Sequence, residues 1–145
     1  MPRRVSLILT ALFSLPMLVG CGHGDRPEIG YVSGKVTLDG EPLGKAVVFF
    51  RPQSGGRTSV ANTKDDGTYE LVYIGTTMGA KVGKHDVRIT TGGDAVDANG
   101  KSYYQPEMLP AKYNDKTELT ADVAPGTNPP FNWDLVGRVK PKKGG

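Results

Sequence analysis

SGKVTLDGEPLGKAVVFFRP, residues 33–52, holds two strands and the turn that joins them. From Tyr31 to Leu38, Val32, Gly34, Val36 and Leu38 alternate with Ser33, Lys35 and Thr37, the period of a half-buried strand. Asp39-Gly40 marks a turn and Pro42 restricts the chain beyond it. Ala46 to Arg51 forms a second strand, with Val48 and Phe50 on one face and Val47 and Phe49 on the other, and Pro52 ends it. A strand that is apolar on both faces is central in its sheet or has its outer face under a loop. Gly34, inside the first strand, leaves room for a neighbouring backbone or aromatic ring to come close.

The same period continues downstream. Thr58 to Thr63 is a short strand around Val60, and Lys64-Asp65-Asp66-Gly67 is a hairpin signal leading into Thr68 to Tyr73, where Tyr69, Leu71 and Tyr73 share a face. Gly79 to Gly83 turns the chain into His85 to Thr90, with Val87 and Ile89 opposite Asp86 and Arg88. Glu118 to Val123 and Phe131 to Leu135 complete the set. Seven short strands, no helix, and 20 glycines with 11 prolines at the joints predict an all-β fold. The expected architecture is a seven-stranded immunoglobulin-like or prealbumin-like β-sandwich over residues 30–137, followed by a basic tail, 138–145, carrying Lys140, Lys142 and Lys143.

Upstream, Arg3 and Arg4 precede a mostly apolar run from Val5 to Gly20 that is shorter than the roughly 20 residues a membrane-crossing helix needs. Two arginines, a short apolar core and small residues at its end predict an export signal over residues 1–20. The chain's one cysteine, Cys21, closes that run. Leu18-Val19-Gly20-Cys21 resembles the bacterial lipobox, in which cleavage before the cysteine is followed by acylation of its thiol and amine. One buried acyl chain holds a membrane marginally and two hold it stably. Cys21 is therefore expected to be a lipid attachment point, and residues 21–29 a glycine-rich flexible tether. Loss of residues 1–20 removes two of the 18 basic side chains and leaves them nearly balanced by the 15 acidic ones, which argues against a nucleic-acid partner. With a single cysteine no disulfide forms within the chain.

The blocks SGKVTLDGEPLGKAVVFFRP, TKDDGTYELVY (63–73), GAKVGKHDVRIT (79–90), LPAKYNDKTELTADV (109–123) and NPPFNWDL (128–135) resemble, in order and spacing, a family of small lipoproteins of planctomycete-type bacteria. Their folded part is a carboxypeptidase regulatory-like domain, a prealbumin-like sandwich. Gly44-Lys45 stands where that family more often has Pro-Gly. The resemblance implies a fold and a cell-envelope address, with an outer membrane favoured by Gly22 after the cysteine, and it implies no activity.

Residues 91–117 form a long segment without clear periodicity, and segments of that length are functional or disordered. Its first part, 92–101, is polar and expected to be mobile, and Asp94, Asp97 and Asn99 make only a weak calcium pattern that Lys101 and Met108 interrupt. Its second part, 102–116, carries Tyr103, Tyr104 and Tyr113 and is expected to cover a sheet face or edge. These tyrosines are the candidate ligand-binding residues, for a sugar or an envelope protein. Prealbumin-like hydrolases and dioxygenases need several histidines; this chain has two, His23 in the tether and His85 at the start of a strand, on its Val87 and Ile89 face. His85 is accordingly expected to be a partly buried structural residue. No catalytic residue, metal ligand or cofactor is assigned, and the chain is expected to be a lipid-anchored, non-catalytic binding or structural module. A carbohydrate-binding module built on 102–116 is the alternative, ahead of a hydrolase.

Overall fold

The computed structural model describes residues 26–140. The expected export signal over 1–20, Cys21 and the last residues of the expected basic tail lie outside the described residues. The described chain begins with β1 (Ile29–Tyr31), β2 (Ser33–Leu38), β3 (Glu41–Pro42), β4 (Val47–Pro52) and β5 (Ser59–Asn62). It goes on through β6 (Thr68–Glu70), β7 (Val72–Ile74), β8 (Thr77–Met78), β9 (Ala80–Lys81) and β10 (Gly83–Thr90). After β11 (Gly93–Val96) and β12 (Ser102–Gln105), a single 3-10 turn at Ala111–Tyr113 leads to β13 (Leu119–Val123), β14 (Gly126–Thr127) and β15 (Trp133–Leu135).

The main sheet has six strands in the order β13-β10-β4-β5-β7-β8, with β4 at its centre. A second sheet is built on β2, which pairs with β15 in parallel and with β3 and β6 antiparallel. Val36 and Leu38 of β2, Val48 and Phe50 of β4, and Val87 and Ile89 of β10 belong to one buried core that Tyr69, Leu71, Val123 and Leu135 share. The result is an all-β, sandwich-like fold. β1 sits between β14, parallel, and β9, antiparallel, so the point where the chain enters the domain is paired on both sides.

Strand structure falls on all seven expected stretches, two of which are divided, and six further strands, β3, β8, β9, β11, β12 and β14, lie outside them, which makes fifteen segments among the described residues in place of seven. The two divisions have one cause. The alternation from Tyr31 to Leu38 runs unbroken through Val32, yet β1 pairs with β9 and β14 while β2 pairs with β6 and β15. Likewise Thr68 to Tyr73 divides at Leu71, because β6 pairs with β2 and β7 pairs with β5 of the other sheet. The chain changes sheets while keeping its side-chain period.

Two glycines are required by what surrounds them. At Gly34 a Cβ would lie 1.8 Å from the carbonyl oxygen of Phe131 and 2.9 Å from the Tyr69 ring. That contact lets the Tyr69 hydroxyl donate to the same carbonyl at 2.7 Å while accepting from the Trp133 indole N–H at 2.9 Å. Burial raises the Tyr69 pKa far above its ordinary value, so the phenol stays protonated. Gly40, at φ 86°, follows Asp39 at φ 51° between the paired Leu38 and Glu41, the two positive angles of a tight hairpin turn. Asp39 also accepts from the Gly137 and Arg138 N–H groups, which ties the end of the domain to that turn and holds its carboxyl below the ordinary range.

Candidate functional site

The expected both-sided strand, β4, buries Val48 and Phe50 and leaves Val47 and Phe49 half-buried on the outer face. Both reasons given for such a strand hold. β4 is central, and the segment after β10 folds over its outer face at Val47.

That segment is fastened by one carboxylate. Glu107 accepts from the N–H groups of Thr91 at 3.1 Å, Leu109 at 2.9 Å and Gly92 at 3.3 Å. It also accepts from the hydroxyls of Thr91, at 2.8 Å, and Thr90. Burial pushes its pKa up, but the hydrogen bonds from Thr90, Leu109 and Thr91 outweigh burial and hold it below the ordinary value. The Thr91 hydroxyl accepts in turn from the Met108 N–H at 2.7 Å.

From this clasp rises a hairpin, β11–β12, which gives strand pairing to part of the segment expected to be polar and mobile at 92–101. Its register pairs Gly93 with Gln105, Asp94 with Tyr104, Ala95 with Tyr103 and Val96 with Ser102. The tip is closed by Asp97, whose carboxylate accepts from the Asn99 and Lys101 N–H groups, both at 2.9 Å. The carboxylate that hinted at calcium thus caps its own turn. Among the described residues no three His, Cys, Asp or Glu side chains are grouped to hold a metal ion.

The hairpin separates the candidate tyrosines. Neighbouring strand residues point to opposite sides, so Tyr103 faces the main sheet while Tyr104, 71% exposed, points away from it. Tyr113 is buried on the 3-10 turn, where its hydroxyl accepts from the Val136 N–H at 3.1 Å. It belongs to the core with Leu109, so the covering role expected of 102–116 falls to its second half. Three candidates become one groove residue, one outward residue and one core residue.

Between the hairpin and strands β4 and β5 lies an open trench of about 640 Å³, lined among others by Lys45, Val47, Asn62, Asp94, Tyr103 and Gln105. The Gln105 side-chain amide donates to the Lys45 carbonyl at 3.3 Å across one end. Lys45 has φ 58°, a conformation that glycine adopts without strain, and it occupies the position where the resemblance placed glycine. Sequence reasoning did not single out Asn62 or Glu107, and it noted Lys45 only as a departure from the resembled family. Alternation along β5 puts Asn62 on the Val60 face, but nothing local says that a hairpin lies beside it.

A second groove, about 350 Å³, lies farther along the same face beside Phe49. Its charges are already matched: Arg51 pairs with Asp86 at 3.1 Å, Arg88 with Asp115 at 3.5 Å, and the Arg88 guanidinium lies 5.4 Å from the centre of the Phe49 ring. His85 lies in neither groove. It is fully buried, 5.7 Å from the Phe50 ring centre, with Nδ1 3.0 Å from the Gly83 carbonyl and Nε2 without a partner among the described residues. A carbonyl only accepts, so Nδ1 carries the proton and Nε2 is bare. Burial lowers the His85 pKa below its ordinary value.

Comparison with family models, with curated proteins and with solved structures finds no match.

Proposed function

We propose that this protein is a lipid-anchored, non-catalytic accessory of a bacterial cell envelope, a binding or structural module on a prealbumin-like sandwich. The observation that carries the reading is Leu18-Val19-Gly20-Cys21: the chain's one cysteine stands where an apolar export run ends and a polar tether begins. Acylation there joins the domain to a membrane, facing the periplasm or the cell exterior, without requiring a spanning segment. Among the described residues no helix is long and apolar enough to cross a membrane. The non-catalytic part of the reading draws on His85, whose bare nitrogen lies inside the core where no substrate reaches it. A second reading, a carbohydrate-binding module, is favoured by the trench beneath Tyr103. Mass spectrometry of the mature protein tests the anchor. The expected result is an N-terminus at Cys21 carrying two or three acyl chains; a bare thiol or a different first residue would refute it.

A further inference from the structure

We infer that the trench between the β11–β12 hairpin and strands β4 and β5 is a binding site for a neutral oligosaccharide, with Tyr103 as its stacking wall. The inference deepens the carbohydrate reading above, and it is independent of acylation at Cys21.

Along β4 the floor offers no strand edge, since β4 is paired on one side with β10 and on the other with β5. A peptide that adds itself as a strand needs a free edge; the edges here belong to the β11–β12 hairpin, whose strands pair with each other, and to β5 beyond its pair with β7 at Val60. The side chains over the floor favour a different ligand. Val47 supplies an apolar floor, and the Tyr103 ring, 40% exposed, supplies a flat wall above it. The Lys45 ammonium, the Asn62 amide and the Tyr103 hydroxyl line the same space, and none of the three makes a hydrogen bond to another described residue. A flat aromatic surface with uncommitted donors and acceptors around it matches a pyranose, whose C–H face is apolar and whose edge is ringed with hydroxyls.

Two further features separate this trench from the rest of the surface. The neighbouring groove has its arginines and aspartates consumed in ion pairs, whereas Lys45 of the trench joins no ion pair among the described residues, although Thr91, Asp97 and Gln105 on the same lining are already hydrogen-bonded. Lys45 also keeps a long side chain at φ 58°, where glycine would relieve the backbone, as residues in binding sites do when the side chain has a task. The volume, about 640 Å³, lies within the range of small-ligand sites. Lys45 and Asp97 on the lining leave no excess of charge of one sign, which suits a neutral sugar better than a polyanion.

The test is calorimetric titration of the full-length, acylated protein in detergent with cellotetraose, chitotetraose and maltotetraose. Saturable binding of at least one at millimolar concentration or below is expected. Tyr103→Ala should weaken it about tenfold or more, the worth of one aromatic contact. Asn62→Ala should weaken it as well, while Tyr104→Ala, on the other side of the hairpin, should leave it unchanged. All three positions are exposed, and thermal melts will show that the variants fold. Absence of binding to all three sugars, binding indifferent to Tyr103→Ala, or equal loss with Tyr104→Ala would overturn the inference. An acylated protein that binds no sugar leaves the anchor standing, and a sugar-binding protein with a bare Cys21 does the reverse.

Discussion

At Gly34 a missing methyl group decides how two strands meet. A Cβ there would overlap the Phe131 carbonyl at 1.8 Å, and neither partner can retreat, because that carbonyl also receives the Tyr69 hydroxyl. Gly34→Ala should therefore cost about 3 kcal/mol, at the upper end for overpacking, read as a lower urea midpoint with an unchanged slope. Sequence alone assigned Gly34 this role and left Tyr113 between a ligand contact and a cover over the sheet; the structure buries it. The difference is physical. A glycine in a strand has few reasons to be there, whereas a tyrosine in an irregular segment suits a groove, a solvent face or a core equally well. Tyr103 and Tyr104 were separable only once a strand was known to pass through them, since alternation then sends them to opposite sides.

Among the elements, strands with one buried face were legible from their period alone: Val36 and Leu38, Val48 and Phe50, Val87 and Ile89 are buried as the alternation requires. What period two does not register is a change of partner. The divisions at Val32 and Leu71 leave no trace in the pattern, because each chain segment keeps alternating as it moves from one sheet to the other. The β11–β12 hairpin was illegible for the opposite reason. Neither of its faces is buried, so GDAV and SYYQ carry no contrast between apolar and polar positions. This also makes the hairpin dispensable for folding. Replacing residues 93–105 with a short Gly-Ser link should cost less than about 1 kcal/mol and preserve a single cooperative transition, because none of the excised side chains belongs to the core cluster. Thermal and urea unfolding check this, and a large loss would mean that the hairpin holds the clasp at Glu107 rather than resting on it.

For the molecule as a whole, His85 and Glu107 contribute to its response to acid in different pH ranges, Glu107 beside other carboxylates, Asp39 among them, that are held below the ordinary range. The unfolded chain protonates His85 near its ordinary 6.5, while the buried, bare Nε2 in the folded protein resists. The unfolded state then binds more protons, so stability falls as pH drops below about 6.5 until the lowered folded pKa is reached. Glu107 acts at lower pH. Its stabilisation is full above the ordinary carboxylate pKa, about 4.3, and is lost as pH falls through its depressed folded value. Urea midpoints should accordingly decline between pH 7.5 and 5.5, and His85→Phe should flatten that part of the curve while leaving the steeper loss below pH 4.5. A midpoint independent of pH in the wild-type protein over the upper interval would contradict the bare, buried imidazole.

The pairing of β1 has a mechanical corollary. Ile29 to Tyr31 is gripped by β9 on one flank and β14 on the other. A pull transmitted from upstream along the strand axis strains those hydrogen bonds in concert, in shear, instead of peeling them open one at a time. A load arriving from the upstream side therefore meets all of those pairs at once before it reaches the core.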